Sequence, residues 1–82
     1  MENKTLNPAK VRFNCRRGMS ELENILYPFF DQHFAALSIV QQQAFVDLLA
    51  AEDTELWDWL VIKQSEPPDM HKDIIQIIYA TA

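Results

Sequence analysis

Glycine occurs once in this chain of 82 residues, at Gly18. Tight hairpins between strands draw on glycine for their positive backbone angles, so its scarcity argues against a hairpin-rich β fold. Cysteine also occurs once, at Cys15, which rules out an internal disulfide and suits a reducing compartment, so a cytoplasmic location is expected. Long apolar runs are missing. Apolar stretches such as Ile74–Ile75 and Ile77–Ile78 are far short of the ~20 residues that a membrane span requires. The opening residues Met-Glu-Asn-Lys-Thr carry no apolar run after their charges and do not read as a signal peptide. Basic residues are outnumbered, giving a net charge of −5, where nucleic-acid binders carry a basic excess to neutralise phosphate. The expected partner is therefore not a nucleic acid, and direct membrane insertion is not expected. A glycine-rich phosphate loop is also lacking, which argues against tight binding of a dinucleotide.

What the chain does have is helix-forming sequence, rich in Leu, Ala, Gln and Glu. Residues 1–7 read as a flexible tail and 8–82 as one helical domain. Asn7 serves as cap and Pro8 as first-turn residue of a helix expected to run to about Arg16, with Gly18 ending it. Ser20 and Glu23 have the spacing of a capping box. Behind them Leu22, Leu26, Phe29, Phe30, His33, Phe34 and Leu37 recur at steps of three and four, one apolar helix face that continues past Pro28, so a single helix kinked at that proline is expected. Ser38 and Gln41 form a second capping box, followed by Ile39, Ala44, Phe45, Leu48 and Leu49. Asp53 suits the cap of a fourth helix carrying Leu56, Trp57, Trp59, Leu60 and Val61. The turn Ser65-Glu66-Pro67-Pro68 opens a fifth, with Met70, Ile74, Ile75, Ile77 and Ile78 as its apolar set. The pattern predicts an all-α fold, a small bundle of about five helices.

Catalytic chemistry finds little support. Cys15, His33 and His71 are scattered and show no zinc spacing, so no metal site is predicted. His33 lies on the apolar stripe of its helix and reads as a core or boundary residue. Cys15 stands beside Arg16 and Arg17, which can lower a thiol pKa, although a lone helical cysteine is more often a small buried hydrophobe. A cysteine-dependent enzyme would lose function in Cys15→Ser. Trp57 and Trp59 sit about 200° apart on a helix; one reading makes one of them an exposed partner-binding anchor, and the favoured reading is coverage of a thin helix from two sides. The acids Glu52, Asp53, Glu55 and Asp58 suit a solvated helix start.

The segment Cys15-Arg16-Arg17-Gly18-Met19-Ser20-Glu21 stands apart, because it joins the only glycine to an adjacent basic pair. Glycine there supplies a positive φ or lets a partner's backbone come close. Arg17 offers a planar fork for carboxylate, phosphate or carbonyl groups. An internal Arg17–Glu21 pair is the competing reading, but that order of charges is the weaker one and Gly18 interrupts the helix it needs. The chemistry favours a surface interaction site.

At these residues the chain resembles the SdhE flavinylation-factor family, also called YgfY. The family's Arg-Gly-x-x-Glu pattern stands here as Arg17-Gly18-Met19-Ser20-Glu21. Arg16, Leu22, Pro28-Phe29-Phe30, Phe45, Leu48-Leu49, Asp53, Leu56 and Trp59-Leu60 match as well, over about residues 8–80. Glu23 stands where many members have Asp. The resemblance implies a five-helix cytoplasmic protein that is not itself an enzyme. It would bind the flavoprotein subunit of succinate dehydrogenase, and of fumarate reductase where present, and promote covalent attachment of FAD to that partner. Arg16, Arg17, Gly18, Met19 and Glu21 would form the partner-binding site. Some family members are also described as antitoxins of a membrane-bound toxin, which is the alternative role.

Overall fold

The computed structural model describes residues 7–81. Along the chain lie α1 (Pro8–Phe13), α2 (Ser20–His33), a 3-10 turn (Phe34–Ala36), α3 (Ile39–Leu49), α4 (Asp53–Trp57) running into a π-helical turn (Asp58–Ile62), and α5 (Asp69–Thr81). Five α-helices and no strand are present among the described residues, so the all-α reading stands. The tail expected over residues 1–7 falls, for 1–6, outside the described residues.

Asn7 and Pro8 start α1 as their types dictate. The Asn7 side chain accepts from the backbone N–H of Ala9 at 3.0 Å and of Lys10 at 3.4 Å, while Pro8 fills the first position, where no donor is needed. The helix ends at Phe13 rather than near Arg16. Cys15 and Arg16 donate to Arg12 O and Phe13 O, bonds to the residue three back that tighten the last turn before the chain leaves it. Gly18 is therefore not the helix terminator it was expected to be.

α2 begins differently from its predicted capping box. Met19 is the N-cap, in extended conformation, and Ser20 is already helical, so no side chain caps the start. Glu23 instead reaches back to accept from the Arg17 N–H at 2.7 Å. The helix then runs through Pro28 without ending, burying Leu22, Leu26 and Phe29. The Ser38–Gln41 capping box forms as read, with Gln41 N–H on Ser38 Oγ at 3.1 Å and Ser38 N–H on Gln41 Oε1 at 3.0 Å. Ser38→Ala is expected to destabilise the fold by about 1 kcal/mol, measurable as a small downward shift in thermal melting.

Phe45 on α3 is fully buried and lies at the centre, its ring 5.3 Å from that of Phe29 and 5.8 Å from that of Phe34. Leu22 and Leu26 from α2, Leu48 from α3, Leu56 from α4 and Ile74 and Ile75 from α5 are buried in the same core. Two residues placed in apolar stripes are exposed instead: Ile39 at 62% and Met70 at 66%. At about 100° per residue, Ile39 lies opposite Leu48 on its helix. On α5 the inward stripe is His71, Ile74, Ile75 and Ile78, and Met70 is about a quarter turn to its side.

Trp59 is buried and Trp57 half-buried, the two-sided coverage inferred for this thin helix. The Trp59 carbonyl accepts from the Tyr79 hydroxyl, tying the π turn to α5. The Asp58 carboxylate closes the end of that turn by accepting from the backbone N–H groups of Ser65 and Gln64. α4 is capped by Glu52 with Glu55, not by Asp53. That shift by one residue leaves the Asp53 carboxylate free for a longer-range partner.

Candidate functional site

The linker between α1 and α2 carries the segment singled out above, and three ties fix its backbone. The Arg17 N–H donates to Glu23. The Gly18 N–H donates to Asp53 Oδ2 at 3.3 Å. The Arg17 guanidinium provides the third tie, with Nη2 donating to Leu49 O at 2.5 Å and Nη1 to Ala51 O at 3.3 Å and to Asp53 Oδ1 at 3.2 Å. Leu49 and Ala51 lie at the C-terminal end of α3, where carbonyls lack intrahelical donors and the helix dipole is negative. Arg17 thus caps α3 with its charge and links it to the first residue of α4. Asp53 uses one carboxylate oxygen for Arg17 and the other for Gly18.

The geometry divides the predicted site residues into two groups. Arg17 points inward, its side chain only 12% exposed, so the fork expected to reach a partner is engaged within the bundle. A planar guanidinium matches several carbonyl and carboxylate oxygens at once, and here the fold itself supplies them. Met19 is half-buried and packs against the core. Arg16, Gly18 and Glu21 face outward. Neither the Arg16 nor the Glu21 side chain makes a hydrogen bond or ion pair among the described residues, and the competing Arg17–Glu21 pair does not form. Arg16, Gly18 and the inward Arg17 meet at an open depression of about 730 Å³ lined also by Phe13, Asn14, Leu49 and Asp53, and Glu21 lies outside it.

Gly18 is not required by the local backbone. No glycine has a positive φ, and a methyl group added at Gly18 would meet only Asp53 Oδ2, at an ordinary contact distance of 3.8 Å. The positive-φ reading of this glycine is therefore set aside, and close approach by another molecule remains.

Cys15 lies beneath this surface, fully buried, its Sγ donating weakly to Val11 O at 3.6 Å. Burial pushes its thiol up to about 11, outweighing the opposite pull of Arg17 and Arg12. The thiolate-stabilising effect expected from the adjacent arginines is overcome by desolvation. Native protein at pH 8 is expected to react with iodoacetamide about a hundredfold more slowly than urea-unfolded protein, as followed by mass spectrometry. Because the folded-state pKa is raised, the associated stability is complete below the unfolded thiol's pKa near ~8.5. It is lost as pH rises through about 11.

Elsewhere the histidines are packing residues. His33 is half-buried with its ring 5.6 Å from Phe29, and His71 is buried 5.5 Å from Trp59. No group of three potential metal ligands occurs among the described residues. No described helix is long and apolar enough to cross a membrane.

Sequence reasoning missed the roles of Asp53 and Glu23, assigning both to helix caps. The available signal was the Glu52–Glu55 spacing, which forms a capping box one residue earlier and releases Asp53.

Residues 9–82 match the family described as flavinator of succinate dehydrogenase. Individual relatives agree. A Pasteurella multocida protein named FAD assembly factor SdhE is 47% identical over 53 residues, covering 65% of this chain and 63% of that protein. A Haemophilus ducreyi protein of the same name is 37% identical over 76 residues, 93% of each chain. One from Yersinia pestis is 41% identical over 63 residues, covering 77% of this chain and 70% of its own. Matched from α1 to its last residue, the chain belongs to the flavinator of succinate dehydrogenase family.

Proposed function

We propose that this protein is an FAD assembly factor that docks on the flavoprotein subunit of succinate dehydrogenase, and of fumarate reductase where a cell has one, and promotes covalent attachment of FAD to that subunit. The observation that carries the docking face is the state of Gly18: exposed, fixed from behind by Asp53, and open on its outer side with no internal need for glycine. A partner's backbone can approach such a position more closely than any side chain would permit. Glu21 and Arg16 flank it as unpaired charges, suited to charge-assisted hydrogen bonds across the contact. Arg17 acts from within, as a positioning residue that holds the loop against α3 and α4.

The protein performs no bond chemistry in this reading. Docking favours the conformation of the flavoprotein in which its own histidine is placed to attack the flavin, a shift of populations driven by differential affinity. The partner supplies the nucleophile and holds FAD, and this chain binds no cofactor tightly.

In-gel flavin fluorescence of the succinate dehydrogenase flavoprotein is the test. Cells lacking this protein are expected to show a flavoprotein with little covalent flavin, restored by the wild-type gene but not by Glu21→Ala. The Glu21→Ala protein is expected to melt within about 0.5 kcal/mol of wild type, as an exposed substitution should. Full flavin content with Glu21→Ala would remove Glu21 from the docking face. Full content without the protein would remove the function.

A further inference from the structure

The sequence is acidic overall, yet Lys10, Arg12, Arg16 and Arg17 are four of its seven basic residues, and no acid lies between Lys10 and Gly18. Two of these cations are neutralised inside the protein. Arg12 pairs with Asp31 at 2.8 Å and holds that carboxyl below its ordinary value through the hydrogen bond, and Arg17 pairs with Asp53. Lys10 and Arg16 are exposed and have no ionic partner among the described residues.

Between them stands Phe13, 66% exposed, at the rim of the depression beside Gly18. The spacing is three residues each way. Residues three apart are neighbours on an α-helix, and they eclipse one another in a 3-10 turn. The chain makes that transition here, with Arg16 N–H bonded to Phe13 O. Lys10, Phe13 and Arg16 therefore run as one outward stripe, cation–aromatic–cation, while Val11 and Cys15 on the other side are buried. The stripe leads directly to Gly18 and shares its depression through Phe13 and Arg16.

The geometry points to Lys10, Phe13 and Arg16 as an extension of the docking face that receives an acidic segment of the flavoprotein partner, its carboxylates meeting the two cations and an apolar side chain covering Phe13. This inference rests on the docking reading above. Charge complementarity selects the occupant. Outside residues 10–17 the chain carries all twelve of its acidic residues against three basic ones and disfavours an acidic segment, so the stripe fixes orientation as well as contact. An exposed aromatic at the centre of a charged rim is the arrangement from which binding hot spots are built.

The experiment measures binding of the full-length protein to purified flavoprotein subunit by calorimetry at low and high salt. Four proteins are compared: wild type, Phe13→Ala, Lys10→Glu/Arg16→Glu, and Lys63→Glu/Lys72→Glu. The last has the same net charge as the stripe double variant but its changes lie elsewhere. Thermal melting confirms that each is folded. Phe13→Ala is expected to weaken binding about tenfold or more. The stripe double variant is expected to bind far more weakly and to lose most of the salt dependence, while the control pair stays close to wild type. If wild type binds and the stripe variants bind equally well, or the control pair weakens binding as much, the stripe is overturned and the docking reading survives. If folded wild type does not bind the subunit, the docking reading falls and the stripe with it.

Discussion

Arg17→Ala is expected to destabilise the protein by about 2–4 kcal/mol, since it removes several charged hydrogen bonds at once. Two carbonyls at the end of α3, Leu49 O and Ala51 O, lose their donor, and Asp53 loses its counter-charge. For a domain of this size the loss lowers Tm by about 10 °C or more, readable by circular dichroism. Arg17→Lys is expected to recover less than about half of it, because a single ammonium on a flexible stem cannot meet three acceptors with a fixed fork. Flavinylation in cells is expected to fall with Arg17→Ala and to recover in part at low growth temperature, where more of the variant is folded. A variant that melts like wild type would show that the inward arginine does not hold the linker.

Gly18→Leu is expected to fail by the opposite route. Its Cβ finds only ordinary contact and its backbone needs no left-handed angle, so stability should stay within about 0.5 kcal/mol of wild type. Binding to the flavoprotein subunit should weaken by at least about tenfold, or about 1.4 kcal/mol, because the side chain occupies the space left for the partner. Covalent flavin should then be lost at every growth temperature. Adjacent residues of one motif would thus be separated by a melting curve, Arg17 as support and Gly18 as contact surface. A large drop in Tm for Gly18→Leu would instead make the glycine a folding residue.

Much of the fold was legible locally. Asn7-Pro8 and Ser38-Gln41 placed two helix starts correctly because caps satisfy their donors within a few residues of chain. The spacing of Leu22, Leu26 and Phe29 placed a buried face, and it held through Pro28. Ile39 and Met70 were misplaced because hydrophobicity alone does not say which part of a helix meets a neighbour. Cys15 was read both ways, and the depth of its burial settled the matter. The motif itself was visible as a lone glycine between opposite charges. Which of those charges faces outward was not.

The sequence by itself determined an all-α protein, the approximate positions of its helices and the location of an unusual glycine-containing junction, because helix propensity, capping and periodicity act over a few residues. Only the tertiary structure decided that Arg17 turns in and that Arg16 and Glu21 remain out. Asp53 and the end of α3 are more than thirty residues away along the chain. The orientation of an arginine is set by where unpaired carbonyls and carboxylates come to lie in space, and the packing of α2, α3 and α4 brings them there.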